Sequence, residues 1–148
     1  MDIILFKKEY FWLSNMCKFD TPYKTKHGEL PTGEHMYQYA KSKDTSWRKK
    51  VCGISNPYEV RKLSRDPDVC VLREDWEEIK DDVMFEVIAY KFSNHNDSLL
   101  EKLLSTDGFG IVHGNYHNDL YWGYCLKTNN GEDRLGKLIM DRRNHYLK

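Results

Sequence analysis

The stretch TGEHMYQ, residues 32–38, places a carboxylate and an imidazole side by side, at Glu34 and His35, where a helix is expected to begin. Apolar and aromatic residues follow at once, so Glu34 is expected to be half-buried. Burial of a carboxylate costs free energy unless the group is paired or used. A carboxylate in such a position suits acid–base chemistry. The plain alternative is that Glu34 only stabilises the positive end of the helix dipole.

Four further residues have types that suit chemistry, and each also has an ordinary structural explanation. Lys80 borders the apolar stripe of a predicted helix, where a lysine commonly buries its stem and exposes its ammonium group. Trp76, one turn earlier, suits a core position as well as a stacking surface. Asp119 precedes Trp122 by three residues in the stretch HNDLYWG. An aspartate there usually forms a turn, whereas a tryptophan followed by Gly123 also suits a flat ligand packed on an indole.

No metal site or cofactor is predicted. His113 and His117 are four residues apart, which is ligand spacing only on a helix, and Gly114 between them argues against a helix. The four cysteines are far apart and form neither a CxxC pair nor a Cys/His cluster, so we expect free thiols in a reducing compartment. The sequence contains no GxSxG, HExxH or Walker motif.

These residues must be positioned by a mixture of helices and short strands. Caps and apolar periodicity predict helices over about 33–42, 45–52, from 57, 74–92, from 97 or 98 to 106, and 134–147. Thr32 is the expected N-cap of the first of these, and Ser55 or Asn56 begins the helix that has Pro57 in its first turn. Strands are predicted near 2–6, 109–114 and 120–126, with a strand pair over 18–30. Helices and strands do not alternate regularly, which argues against a doubly wound sheet. We therefore expect an α+β fold: one compact, helix-rich domain over residues 1–148 with a small, mostly antiparallel sheet.

The composition restricts the partners. The 23 Lys and Arg residues balance the 23 Asp and Glu residues, so bulk charge does not predict binding to a polyanion. The first ten residues hold too short an apolar run for a signal peptide, and no segment approaches membrane-spanning length. We expect a cytoplasmic protein without membrane contact, and the oligomeric state stays open.

Five segments of the chain have the order and residue types of one known family. Its patterns are LSNF, SSEHxYQxxK, RxxWxxxKxxxM, LLxTG…LVE…DxxWGxG and NxLGxxLMxxR. The matching segments here are FWLSN (11–15), TGEHMYQYAK (32–41), REDWEEIKDDVM (73–84), LLSTDGFGIVHGNYHNDLYWGY (103–124) and RLGKLIMDRR (134–143). Over nearly its whole length the chain thus resembles the NADAR superfamily, which includes the YbiA-like N-glycosidases.

The resemblance implies an enzyme that hydrolyses an N-glycosidic bond at a ribose carbon, in a mainly helical α+β domain without a required metal. Some members cleave a ribosylamino-pyrimidine phosphate of the riboflavin pathway, and others remove ADP-ribose from guanine in DNA. The expected partner is therefore a nucleotide-like small molecule or ADP-ribosylated DNA. Carried over by position, the catalytic candidates are Glu34, Asp119 and Lys80, and the substrate-binding candidates are Asn15, Trp76, Trp122, Gly123, His113 and Arg143.

Each candidate has an expected role in a common cleft. Glu34 is expected to stabilise the positive charge that develops on the ribose, with Asp119 as a second carboxylate. Lys80 and Arg143 are expected to neutralise a phosphate, or Lys80 to lower the pKa of Glu34. The tryptophans are expected to stack on the base or to exclude water.

Two departures from the family pattern leave the substrate open. His113 stands where the family has an acid, and Cys125 replaces the second glycine of the WGxG segment. The main alternative is therefore a module that binds ADP-ribose or a nucleotide without catalysis. A third interpretation is an interaction domain with a vestigial pocket.

Overall fold

The computed structural model describes residues 2–148, which divide into two compact units. One unit is residues 15–91, and the other combines residues 2–14 with residues 92–148. In residues 2–148, no helix is long and apolar enough to cross a membrane. The strands are β1 (Ile3–Leu5), β2 (Lys18–Thr25), β3 (Gly28–Thr32), β4 (Gly110–Val112), β5 (Gly114–Asn115) and β6 (Tyr124–Cys125). The α-helices are α1 (Gly33–Ala40), α2 (Thr45–Gly53), α3 (Pro57–Leu63), α4 (Trp76–Lys91), α5 (Asp97–Leu104) and α6 (Arg134–Leu147).

The unit of residues 15–91 is a helical layer joined to one β-hairpin. Strands β2 and β3 pair antiparallel with a register shift between Lys18 and Tyr23, which confirms the predicted strand pair. Helix α1 follows β3 directly and packs against α2, α3 and α4. Trp47 and Val60 are fully buried on α2 and α3, and the Trp47 indole N–H donates to Gln38 O at 2.8 Å. Helix α1 is thus the central element that the other helices hold in place.

The other unit holds the two remaining strand pairs. Strand β1 pairs parallel with β4, with Ile4 opposite Ile111, and β5 pairs parallel with β6. Helix α6 packs on β4 and α5, and it buries Leu135 and Ile139. A loop of residues 116–123 connects β5 to β6, and it carries most of this unit's predicted site residues.

The mixture of helices and small sheets confirms the predicted α+β class. The sheet differs from the prediction of one small, mostly antiparallel sheet, because it is three separate two-stranded pairs. The longest pair is antiparallel, and the two shorter ones are parallel. Parallel pairs join strands that are distant in sequence, and the local pattern of residues does not show which distant strands will meet.

Candidate functional site

The start of α1 is fixed by several hydrogen bonds. Thr32 caps the helix, because its Oγ1 accepts from the His35 backbone N–H at 3.1 Å. The Glu34 backbone N–H donates to Asn15 O at 2.9 Å, which ties the helix start to the segment before β2. The predicted N-cap is therefore confirmed, and Asn15 and Glu34 are brought together.

His35 has a structural role beside Glu34. Its imidazole is fully buried, and burial lowers its pKa, so the ring is neutral. Its Nε2 lies 2.7 Å from Ile54 O, and since a carbonyl only accepts, Nε2 carries the proton. Its Nδ1, 2.8 Å from Thr32 Oγ1, then accepts from that hydroxyl. The imidazole thus holds the first turn of α1 and leaves the chemistry of the pair to the carboxylate.

The Glu34 carboxylate is almost completely buried, with 8% of the residue exposed. Gln38, one turn later on α1, donates its Nε2–H to Glu34 Oε1 at 2.8 Å. Burial raises the pKa of Glu34, and the Gln38 hydrogen bond together with the charges of Arg61, Lys41 and Arg65 only partly offsets this effect. A carboxyl with a raised pKa near a few polar groups is the usual form of a catalytic acid or base.

Two buried acceptor atoms belong to residues that hydrogen-bond to Glu34, Asn15 through its backbone and Gln38 through its side chain. Within residues 2–148, Asn15 Oδ1 and Gln38 Oε1 have no hydrogen-bond partner. Both residues are more than nine-tenths buried, and Asn15 Nδ2 donates to Met84 Sδ at 3.3 Å. A Cβ at Gly33 would lie 3.0 Å from Asn15 Oδ1, so glycine lets the amide approach the helix start. Buried acceptors without a donor are costly, and they are expected where a ligand supplies the donor.

Helix α4 places Trp76 and Lys80 one turn apart. Trp76 is buried and makes an edge-to-face contact with Tyr37 of α1, with 5.1 Å between ring centroids. Lys80 Nζ lies 2.6 Å from Glu77 Oε2 in an ion pair at the surface. The pKa of Glu34 is raised overall, and the charges of Arg61, Lys41 and Arg65 oppose this rise. An effect of Lys80 on the pKa of Glu34 stays a prediction.

The cations near Glu34 were not found from the sequence. Lys41 follows α1 directly, on the same helical face as Glu34, and its Nζ lies 5.6 Å from the Tyr37 ring centroid. Arg61 and Arg65 lie one turn apart on α3 and just after it. The signal that could have found Lys41 is its spacing of seven residues from Glu34, which is two helical turns.

In the other unit, Asp119 forms a turn, as the plainer interpretation expected. Its Oδ1 accepts from the Trp122 backbone N–H at 3.3 Å. Its backbone is held by the Asn115 side chain, which accepts from Asp119 N and donates to Asp119 O. The Trp122 ring packs edge-to-face on Tyr121 at 4.8 Å. Asn115 is therefore a positioning residue that sequence reasoning missed.

His113 and Gly123 belong to the same part of this unit. The His113 ring stacks on Phe6, with centroids 4.8 Å apart and planes within 11°. Its backbone N–H donates to the buried Asp133 Oδ1 at 2.9 Å. A Cβ at Gly123 would lie 2.6 Å from His113 O, so the close approach of these backbones requires glycine. Close backbone packing therefore explains why residue 123 is a glycine, without a contact to a ligand.

Arg143 is buried on α6 and binds the chain itself. Its Nη1 donates to Thr106 O at 2.8 Å and to Thr106 Oγ1 at 3.0 Å. These two hydrogen bonds join α6 to the segment just after α5, and both are made by one nitrogen of the guanidinium group, Nη1. The expected contact of Arg143 with a phosphate stays a prediction.

The predicted site residues are divided between the two units. Asn15, Glu34, Trp76 and Lys80 belong to residues 15–91, and His113, Asp119, Trp122, Gly123 and Arg143 belong to the other unit. That all of them line one cleft stays a prediction. No group of three or more His, Cys, Asp and Glu side chains in residues 2–148 is arranged to hold a metal ion.

The chain is similar to known proteins over most of its length. The family model described as "NADAR domain" matches residues 5–146. N-glycosidase YbiA of Escherichia coli is 34% identical over 122 residues, which cover 82% of this chain and 74% of that protein. The chloroplastic riboflavin biosynthesis protein PYRR of Zea mays is 33% identical over 79% of this chain and 20% of its own length.

A solved structure supports the same assignment. The NMR structure of E. coli YbiA superimposes with a TM-score of 0.82 and 31% sequence identity, covering 99% of this chain and 85% of that one. The predictions of the fold class and of a hydrolase that acts on N-glycosyl bonds are confirmed by these relatives. The chain belongs to the NADAR family.

Proposed function

We propose that this chain hydrolyses the bond between a ribose anomeric carbon and a base nitrogen, with Glu34 as the central carboxylate. The observation that carries the proposal is the burial of Glu34, which raises its pKa, together with two buried acceptors without donors on Asn15 and Gln38, the residues that hydrogen-bond to Glu34. The name of the E. coli relative, N-glycosidase, supports the reaction class. We further propose that the two units together form one NADAR domain over residues 1–148.

Breaking a ribosyl C–N bond builds positive charge on the anomeric carbon and the ring oxygen. A carboxylate in a site that excludes water stabilises this charge strongly. The C–N bond breaks with its electron pair on nitrogen, which takes up a proton. A water oxygen bonds to the carbon and loses a proton, for which Glu34 is the proposed acceptor. Asp119 is the proposed second carboxylate, and this assignment rests on the family pattern.

The acceptors beside Glu34 suit a ribose. Asn15 Oδ1 and Gln38 Oε1 require N–H or O–H donors, and the ribose hydroxyls supply them. Gln38 binds Glu34 through one atom of its amide and offers the other to a ligand. The same amide would therefore orient both the carboxylate and the sugar.

For the substrate, we propose a ribosylamino-pyrimidine phosphate of riboflavin biosynthesis, which the name of the Zea mays relative supports. Removal of ADP-ribose from guanine in DNA stays a prediction, as does a cytoplasmic location. A module that binds ADP-ribose or a nucleotide without catalysis does not need Glu34 as an acid or base, and burial of an unused carboxylate costs free energy. The burial of Glu34 therefore favours catalysis over binding alone.

The test is turnover on both substrates in parallel. We expect the purified chain to release the pyrimidine from its ribosylamino phosphate, and we expect Glu34→Gln to bind this substrate without releasing it. Release of ADP-ribose from ADP-ribosylated DNA, without cleavage of the pyrimidine riboside, would move the proposal to the second substrate. Binding of both ligands without release from either would support the non-catalytic module.

A further inference from the structure

A cavity lies in the unit of residues 15–91, on the side of α1 that faces away from Glu34. It has a volume of about 340 Å³ and is bordered by the β2–β3 hairpin, α1, α2 and α4. From α1 it is lined by Met36, Tyr39 and Ala40. At about 100° per residue, Met36 and Ala40 lie about 200° and 240° around the helix from Glu34. The cavity is therefore distinct from the site at Glu34.

The walls of this cavity are apolar and continuous with the core. Leu30 of β3 and Val87 of α4 line it and are almost fully buried, and Val83 lines it one turn before Val87. The Tyr23 ring lines it from β2 and is held by an edge-to-face contact with Tyr90, with 4.9 Å between ring centroids. Cavities of this size, with apolar and aromatic walls and a few polar groups, are the usual form of a small-molecule site.

Three charged side chains line the cavity, and two of them are carboxylates. Asp82 and Glu86 are exposed residues one turn apart on α4. Within residues 2–148, neither carboxylate makes an ion pair or a hydrogen bond. The third is Arg48 of α2, whose Cζ lies 4.8 Å from the Tyr39 ring centroid and whose Nε donates to Ser42 O at 2.9 Å. Two carboxylates and one guanidinium give the cavity a net negative charge.

A plainer explanation is that the two carboxylates only make an exposed face of α4 polar. Such faces are normal on the solvent side of a helix. That explanation accounts for the exposure of Asp82 and Glu86, but it does not account for the apolar space beside them. Apolar walls next to a carboxylate also strengthen its attraction for a cation, because they replace part of the surrounding water by a medium of lower dielectric constant.

We propose that this cavity binds an organic cation, an ammonium group carried on an aromatic or aliphatic body. The apolar body packs against Met36 and Val83, and the ammonium group pairs with Asp82 and Glu86. The tyrosine rings of the walls suit the same ligand, because a ring face attracts a cation. The inference goes beyond the proposed function, since it assigns a second ligand to the opposite face of the helix that carries Glu34.

The test is a titration followed in amide NMR spectra, with phenethylammonium and phenethyl alcohol as a matched pair. The two probes share the ring and the two-carbon chain, and only the first is charged at neutral pH. Asp82→Asn and Glu86→Gln each remove one charge from an exposed helix position, so both variants are expected to fold. Glu78→Gln is the control, because it removes the same charge from an exposed position of α4 outside the cavity lining. Ala40→Leu fills the cavity and keeps a good helix former.

We expect phenethylammonium to bind at least about threefold more tightly than phenethyl alcohol, and to shift the amide signals of the residues that line the cavity. Asp82→Asn and Glu86→Gln are each expected to lower the affinity for the cation by about 1.5-fold to 5-fold, the usual effect of one exposed ion pair. Ala40→Leu is expected to abolish binding of both probes, with melting temperatures showing that each variant is folded. Equal affinity for the two probes would overturn the inference, as would an equal loss in Glu78→Gln or no binding of the cation at millimolar concentration.

Glu34→Gln distinguishes this cavity from the proposed catalytic site. We expect this variant to bind phenethylammonium with wild-type affinity, because Glu34 lies on the other face of α1. Loss of the cation in Glu34→Gln, with wild-type binding in the folded Ala40→Leu variant, would place the cation at Glu34 and overturn the inference. If the cation binds as expected and no riboside is cleaved, the inference stands and the proposed function fails.

Discussion

Glu34→Gln separates the stability of this fold from its proposed chemistry. The amide keeps the size of the side chain and an acceptor oxygen for Gln38, whose Nε2 lies 2.8 Å from Glu34 Oε1. The backbone bond to Asn15 and the Thr32 cap do not involve the Glu34 side chain. What the substitution removes is a buried negative charge.

Loss of this charge is expected to stabilise the protein at neutral pH. Burial raises the pKa of Glu34, so the folded state binds more protons than the unfolded state between the two pKa values. The free energy of unfolding therefore falls as the pH rises from the unfolded-state pKa to the folded-state pKa of Glu34, and it stays lower at higher pH. The variant does not titrate at this position and avoids the loss. We expect a gain of about 0.5–2 kcal/mol at pH 7 to 8, or about 2–4 °C in Tm for each kcal/mol in a chain of this size.

Turnover is expected to change in the opposite direction. Removing one preorganised electrostatic stabiliser of a transition state costs about 10²–10³ in kcat. KM is expected to change little if it reflects binding, since the interaction is made mainly in the transition state. The wild-type kcat/KM is expected to rise with pH through the raised pKa of Glu34, because only the ionised carboxylate stabilises the developing cation.

The assay measures Tm from pH 4 to pH 8, substrate affinity and turnover for wild type and variant. Glu59→Gln is the control, because Glu59 is an exposed glutamate on α3 and its substitution makes the same change in charge. A stable variant with wild-type turnover removes Glu34 from the mechanism. A Tm difference that is the same at pH 4 and pH 8 refutes the argument from the buried charge.

Three further substitutions test the positioning of the site. Gly123→Ala is expected to lower the free energy of unfolding by about 1–3 kcal/mol, because its Cβ would lie 2.6 Å from His113 O. A denaturation curve with an unchanged midpoint would contradict this packing. Thr32→Ala is expected to lose about 1–3 kcal/mol, because it removes the cap to the His35 backbone N–H and leaves the buried His35 Nδ1 without its donor. Chemical denaturation measures this loss against Thr45→Ala at an exposed helix start. Asp119→Asn keeps an acceptor for the turn, so unchanged Tm with turnover reduced about a hundredfold is expected if Asp119 is the second carboxylate. Unchanged turnover would show that Asp119 only stabilises the turn and is not the second carboxylate.

Local patterns in the sequence were sufficient for most of the helices. Helix α6 spans the predicted residues Arg134–Leu147, and α4 spans Trp76–Lys91 inside the predicted 74–92. The caps at Thr32 and Asn56 form as expected, because a cap depends on residues only two or three positions apart. The five family segments and the acidic residue at the start of α1 were also readable, since they are properties of neighbouring residues.

The tertiary structure decided which residues surround Glu34. Helical periodicity indicates that a face is buried, but it does not show which distant element covers that face. The sequence therefore suggested Lys80 as a partner, whereas the Lys80 ammonium group pairs with Glu77, and charges that lower the pKa of Glu34 come from Lys41, from Arg61 on α3 and from Arg65 just after α3. The parallel pairing of β1 with β4 has the same origin, because Ile4 and Ile111 meet only through long-range packing. Glu34 lies on α1, which packs against α2, α3 and α4, and its burial is what raises its pKa.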